Sequence, residues 1–384
     1  MNDLTYRPLS EADRPLFATN DAHAFVMDLV DVEYWLANNL VGDLRGLYTG
    51  GQLVAQLVII PFTVMTGGVD LPLGGIAGVA TPPEHRRRGY VEQMLLAACR
   101  EMRERGMALC MLHPFKASFY RQFGWGTCQE RRLYSGSPEL FRGFLKQQRG
   151  QFVPAGEGDI AELNAIYTGA LRGRFGPLVR DEAWWKKDVL VYNKKPRYAY
   201  IWRDESGRGR SYVVYRWDKR ADGLAMSIRE IVALDPEART QLFAFLANHD
   251  SQCSQVRFLA PADAPVNLLL PNPLKCEVEP YFMLRLLDVA KALADYRYPR
   301  EANGTLSLAV RDSWLAENQG VYRIEVADGA AQVTRLADTA EADITCDVAV
   351  LAQLYSRYAR PRTAAAFGLL EAPDRAALAL LEAM

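Results

Sequence analysis

A chain of 384 residues has room for two or three domains of ~100–200 residues each, and 49% hydrophobic with 24% charged residues is an ordinary globular balance. The formal net charge of -1 excludes a global pull toward nucleic acid or an anionic membrane, so any phosphate recognition must come from a local basic cluster. Six scattered cysteines (Cys99, Cys110, Cys128, Cys253, Cys276, Cys346) form no C-x-x-C pair, and His23, His85, His113 and His249 stand at no ligand spacing, which argues against disulfides, zinc or any other metal.

The N-terminal MNDLTYRPLSEADRP lacks the apolar core of a signal peptide. No apolar run reaches the ~20 residues that cross a bilayer, so the expected address is cytoplasmic. Residues 51–60 mix β-branched residues with partial alternation and read as a strand. Residues 64–73, broken by Gly67 and Gly68, read as a turn and a neighbouring strand. Gly74 to Thr81 is small and apolar, as in a buried strand, and Pro82 and Pro83 end it. Apolar residues then recur at Val91, Met94, Leu95, Ala98 and Met102, one face of a helix over 90–102, with Gly106 just past its end. Residues 108–112 read as another short strand, so this region should be α/β with locally parallel pairing.

Residues 148–158, with Gly150, Pro154, Gly156 and Gly158, read as a linker. Beyond it come a helix over 159–171, strands over 197–202, 210–217 and 227–234, and a helix over 240–247, a degenerate echo of the first block. A third block begins near Cys276 with a helical segment over 282–295, strands over 304–310, 321–326 and 331–335, and helices over 347–358 and 373–384.

The sharpest feature is Thr81-Pro-Pro-Glu-His-Arg-Arg-Arg-Gly-Tyr-Val91, between a buried strand and an amphipathic helix. A helix N-terminus offers unpaired N–H groups and a positive dipole end that suit a phosphate. Gly89 allows close backbone approach, and Arg86, Arg87 and Arg88 supply local charge; a solvated basic turn is the bland alternative. Tyr120, between Phe119 and Phe123, reads either as a packed aromatic or as a proton donor.

The turn resembles the acetyl-coenzyme-A-binding motif of the GNAT superfamily, R/Q-x-x-G-x-G/A, here Arg86-Arg-Arg-Gly89-Tyr-Val91, with Val91 departing from the small final residue. His85-Arg-Arg-Arg-Gly89, Tyr120-Arg-Gln-Phe-Gly124 and Met283-Leu-Arg-Leu-Leu-Asp288, in that order, resemble the enhanced intracellular survival acetyltransferases over essentially the whole chain. The resemblance implies an α/β (α+β) protein with two GNAT-like acyltransferase domains in tandem, at 1–150 and a degenerate 151–275, then a sterol-carrier-protein-like α+β domain at 276–384. It implies N-acetyl transfer from acetyl-coenzyme A to a primary amine of the aminoglycoside or lysine type, with no metal. Val79, Ala80 and Thr81 would meet the pantetheine arm, and Arg87, Arg88, Gly89, Tyr90, Val91 and Glu92 the pyrophosphate. Phe115 and Lys116 would make a further coenzyme contact, although the family prefers small or acidic residues there. Tyr120 would be the general acid and the C-terminal carboxylate of Met384 the general base, where the family often ends in an aromatic. Asp28 and Trp35 match loosely an acceptor-lining helical stretch. A homo-oligomer, commonly a hexamer in the family, is implied as well, without nucleic acid or a membrane span. In the second block Leu234-Asp-Pro-Glu-Ala-Arg has no glycine and sets acidic residues where phosphates would lie, so coenzyme binding is expected to be lost there. The rival reading is a non-catalytic lipid-, sterol- or acyl-coenzyme-A-binding protein.

Overall fold

The computed structural model describes residues 4–37, 42–192, 195–221 and 223–384. At the start of the chain, β1 (Leu4–Pro8) is followed by helices α1 (Arg14–Phe25) and α2 (Leu29–Ala37). An antiparallel meander comes next, β2 (Asp43–Thr49), β3 (Gln52–Thr66) and β4 (Asp70–Ala80), with Gly67 at φ 83° in the β3–β4 turn. The helix expected over 90–102 is α3 (Tyr90–Glu104), and it buries Tyr90, Met94, Leu95, Ala98, Cys99 and Met102. It leads to β5 (Leu109–Leu112), which pairs with β4 in parallel as the strand–helix–strand spacing predicts. A short α4 (Ala117–Arg121) and β6 (Gly126–Thr127) follow. One sheet face is covered by α1 and α2, where Phe17, Ala18, Val32 and Leu36 pack with Val58. The other is covered by α3, whose apolar stripe meets Leu57, Ile59 and Ile76.

The second sheet begins earlier than the sequence indicates. β7 (Glu130–Gly136) already belongs to it, and Gln151–Ala155, expected as linker, is its edge strand β8. Phe152 explains this correction: its ring packs 4.6 Å from Phe245, and Pro154 is tolerated because an edge strand has a free side. After α5 (Ile160–Leu171) come β9 (Phe175–Leu178), α6 (Glu182–Trp184) and the small pair β10 (Val191–Tyr192) and β11 (Lys195–Pro196). The remaining elements are β12 (Tyr198–Arg203), β13 (Gly209–Arg220), β14 (Gly223–Ala233), α7 (Pro236–Ala247), β15 (Gln255–Ala260) and β16 (Lys275–Pro280). The sheet order is β16-β7-β15-β14-β13-β12-β8, and β14 and β15 pair in parallel across α7, the same crossover as β4–α3–β5.

The helix expected over 282–295 is half strand. β17 (Met283–Leu286) inserts between β5 and β6, completing the first sheet as β1-β2-β3-β4-β5-β17-β6. All four of its residues are buried, so it reads as a continuous run rather than an alternating one, which is why periodicity mistook it. Helix α8 (Val289–Asp295) starts only after Asp288, whose carboxylate accepts from the Lys291 N–H at 3.0 Å. The rest is a five-stranded sheet ordered β20-β19-β18-β21-β22, from β18 (Gly304–Arg311), β19 (Gly320–Ala327), β20 (Ala330–Arg335), β21 (Ile344–Asp347) and β22 (Leu370–Glu371). It carries α9 (Val348–Tyr355), α10 (Pro361–Ala366) and α11 (Arg375–Ala383). Tertiary contacts group the chain up to Gln129 with everything from Tyr281 onward, and Glu130–Pro280 as a second unit.

Arg285 is the hub of the first unit. Its guanidinium, fully buried, donates to Asp312 at 2.6 Å and to the carbonyl of Phe123, and lies 5.5 Å and 5.0 Å from the rings of Trp125 and Trp314. Gly124, at φ 86°, leaves no room for a Cβ beside that guanidinium. The glycine of Tyr120-Arg-Gln-Phe-Gly124 and the arginine of Met283-Leu-Arg-Leu-Leu-Asp288 are therefore two halves of one contact.

Candidate active site

The site grows from the way β4 ends. Its parallel pairing with β5 runs from Leu73 opposite Leu109 to Ile76 opposite Leu112 and stops there, while β4 continues to Ala80. Among the described residues, Ala77, Gly78, Val79 and Ala80 thus have no strand on their β5 side, leaving backbone groups able to pair with an extended ligand. The opposite edge is bulged: Val58 faces Ala77 but Gln56 faces Ala80, one extra residue on β4. Gly78 takes up the bulge at φ 57°, where a Cβ would stand 3.1 Å from Val58 and 3.3 Å from Asp21.

The arginine-rich turn follows directly. Arg87 (φ 60°) and Gly89 (φ 76°) both adopt left-handed backbone, which curls the chain onto the first turn of α3. Helices α7, α8, α9 and α11 are each capped by an aspartate side chain, whereas α3 begins at Gly89 with no side-chain cap. Its first N–H groups and dipole end are left for an outside anion. A hollow of about 320 Å³ opens here, lined by Thr81, the 85–92 run, Phe119, Gln122 and Phe123. Two buried polar atoms in that lining, Thr81 Oγ1 and His85 Nδ1, have no hydrogen-bond partner among the described residues. Unpaired buried polar atoms are costly, and here they sit with exposed Arg87 and Arg88 around an uncapped helix start. The residues present fit a polyphosphate.

The individual assignments divide. Thr81, Arg87, Arg88, Gly89, Tyr90, Val91 and Glu92 share the hollow, and Val79 and Ala80 lie on the unpaired strand end leading to it. Tyr90 is buried and serves the α3 core as well. Arg86 differs from its neighbours, since its Nε donates to the Thr81 carbonyl at 3.1 Å and shapes the turn. Phe115 (72% exposed) and exposed Lys116 are not in the lining. Phe119, Gln122 and Phe123, which are in it, were missed; their i, i+3, i+4 spacing around Tyr120 is the signal that finds them.

Tyr120 is almost fully buried against Phe119, Trp125 and Phe115, at ring distances of 5.2, 6.1 and 5.7 Å, as a packed aromatic beside the hollow's lining residues Phe119 and Phe123. Burial pushes its hydroxyl up to about 12, holding it as a neutral proton donor. Neither Tyr120 nor Met384 is in the lining of the hollow at α3. The Met384 N–H bonds Leu380 at the end of α11, and Met384 lines a second cavity of about 510 Å³ with Tyr296, Tyr298 and Arg357, sharing no lining residue with the hollow at α3. Asp28 and Trp35 are exposed, at the start and on the flank of α2, and line neither cavity.

In the second unit the equivalent helix start is filled from within. Asp235 caps α7 by accepting from the Ala238 N–H at 2.9 Å, and Arg210 reaches both Asp235 and Glu237, each at 2.8 Å. The vacancy that α3 offers to an anion is closed. Among the described residues no group of three or more His, Cys, Asp or Glu could hold a metal ion, and no helix is long and apolar enough to cross a membrane.

Residues 5–128 match the acetyltransferase (GNAT) domain in one of its forms, residues 176–286 match it in a second, and residues 289–384 match the sterol carrier protein domain. An N-acetyltransferase of Streptomyces griseus is 28% identical over 342 residues, covering 81% of this chain and 79% of its own. The N-acetyltransferase Eis of Mycobacterium tuberculosis is 26% identical over 351 residues, covering 88% and 84%. The crystal structure of a GCN5-related N-acetyltransferase from Anabaena variabilis superposes with a TM-score of 0.90 at 24% identity, covering 99% of this chain and 97% of that one.

Proposed function

We propose, for a chain that belongs to the GNAT N-acetyltransferases and carries two such domains ahead of a sterol carrier protein domain, that the first domain alone transfers an acetyl group from acetyl-coenzyme A to a primary amine. The observation that carries this is the uncapped start of α3 beside the unpaired end of β4. The acetyl donor supplies an activated thioester. The protein's part is to hold the donor by its phosphates at residues 87–92 and by backbone at 79–81, and to bring an amine to it, an approximation effect worth up to ~7–11 kcal/mol. Tyr120 donates its proton to the departing sulfur. The Met384 carboxylate as general base belongs to the proposal on family resemblance alone, since Met384 lines a different cavity from the hollow at α3. An aminoglycoside-like or lysine-type acceptor, a homo-oligomer and a cytoplasmic address belong to the proposal on family resemblance.

The experiment is coenzyme A release from acetyl-coenzyme A with a panel of cationic amines, together with the melting shift that the donor induces. Turnover with a donor-induced rise in Tm supports the proposal. Donor binding without turnover on any amine favours a coenzyme sensor, and absence of binding ends the reading. A second reading has one observation behind it: the C-terminal cavity is walled by Leu293, Leu308, Ile324 and Leu351 and is large enough for an apolar ligand. Tm shifts with a fatty acid and no acetyl-coenzyme A response would favour it.

A further inference from the structure

We propose that Asp21, on α1, binds the ammonium group of the acceptor and takes its proton. The inference rests on the acetyl-transfer reading above and adds a residue to it. Asp21 Oδ1 is enclosed and has no hydrogen-bond partner among the described residues. It stands 3.3 Å from where a Gly78 Cβ would be, against the bulge of β4. The residue as a whole is only partly buried.

No structural duty explains it. The anchoring of α1 to the sheet at this point is done by its neighbour, since Asn20 Nδ2 donates to Gln56 at 3.0 Å and Gln56 Nε2 donates to the Phe17 carbonyl at 3.0 Å. Asp21 takes no part in that pair of bonds. Burial alone pushes its carboxyl up to about 6, the mark of a charge left without a cation. A buried carboxylate kept unpaired destabilises the folded chain, and an ammonium ion is the partner whose charge and donors would satisfy it.

The position suits the chemistry. The arginine turn and Tyr120 pack with α3 on one face of the sheet, whereas Asp21 packs with Phe17 and Val58 on the other. Between the two lies the strand end Ala77–Ala80, where β4 has parted from β5. A thioester carbonyl held there has the phosphate-binding turn behind it and Asp21 in front. An amine arriving from the α1 face meets the carboxylate first.

The steps balance. Asp21 accepts one proton from the alkylammonium ion and later releases it to solvent. The freed nitrogen lone pair forms the C–N bond to the acetyl carbon as the C–S bond breaks. The Tyr120 hydroxyl proton goes to sulfur, and the second proton lost from nitrogen replaces it through solvent. The sum is alkylammonium plus thioester giving amide, thiol and one proton.

The test compares full-length wild type with Asp21→Asn, using 1,4-diaminobutane, which is cationic at neutral pH, and hydroxylamine, which is uncharged there. The expected result is a ~100-fold loss of kcat/KM on the diamine and a loss about tenfold smaller on hydroxylamine. The melting shift with acetyl-coenzyme A should be unchanged, and the ligand-free variant should melt no lower than wild type. Equal losses on both nucleophiles, an unchanged diamine rate, or a lost acetyl-coenzyme A shift would overturn the assignment. A wild type that binds no acetyl-coenzyme A brings down the acetyl-transfer reading itself, a result distinct from any of these.

Discussion

Two side chains proposed to move protons carry opposite burdens. Tyr120 keeps its proton because burial forbids the phenolate. Tyr120→Phe removes only the donor, so kcat should fall ~10²–10⁴-fold while the acetyl-coenzyme A melting shift survives; a loss of both would make the tyrosine a packing residue. Asp21 has the reverse problem, a carboxyl whose protonated form the fold prefers. A folded value near 6, above the ordinary 3.8, means that its contribution to stability is fully present below about pH 3.8 and is lost as pH rises through about 6. Comparing Tm for wild type and Asp21→Asn between pH 4 and 7 should therefore show the variant gaining on wild type as pH rises; a constant difference would contradict the burial seen here. Neither the gap in pairing at Asp21 nor the bulge at Gly78 was legible in the sequence, because an unpaired aspartate on a helix looks like any solvated one until the sheet is laid against it.

At the scale of elements, α3 and α7 are one device in two states. The first leaves its N-terminus open and surrounds it with arginines; the second closes its own with Asp235 and Glu237. Arg88→Glu should weaken acetyl-coenzyme A binding ~10–100-fold, the worth of a hydrogen bond to a charged group, with little change in Tm, as isothermal titration would show. Asp235→Ala should do the contrary, costing ~1 kcal/mol of stability through the lost cap and leaving coenzyme binding alone. This contrast was legible, since glycine after arginines and aspartate before proline are both local signals. The strands β8 and β17 were not. β8 is punctuated by glycine and proline like a linker, and β17 is buried on both faces, Arg285 included, so it shows no alternation. Their identity is decided by partners far off in sequence, which no window of ten residues contains.

The N-terminal and C-terminal parts of the first unit are tied through Arg285. Its pairing with Asp312 excludes water completely, so removing one partner strands a buried charge. Arg285→Met should cost about 3–5 kcal/mol in urea unfolding of the full chain, and adding Asp312→Leu should recover much of that loss. If the double variant is no better than the single, the Phe123 carbonyl rather than the ion pair dominates.

The insertion of Met283–Leu286 between β5 and β6 also sets an order of events during synthesis. When the ribosome has made the first 129 residues, β5 still waits at an open edge, and the strand that covers it has not been translated. More than 150 residues must emerge before Leu284 can pair with Met111 and Arg285 can reach the loop behind Tyr120. The arginine-rich turn can form early, from neighbours, but the loop behind Tyr120, the proposed proton donor, is locked in place only once Arg285 has been made. A nascent or truncated chain would thus carry the proposed handle for the coenzyme long before it had the proposed means to use it, and the blocks of this sequence cannot be exchanged as separate cassettes.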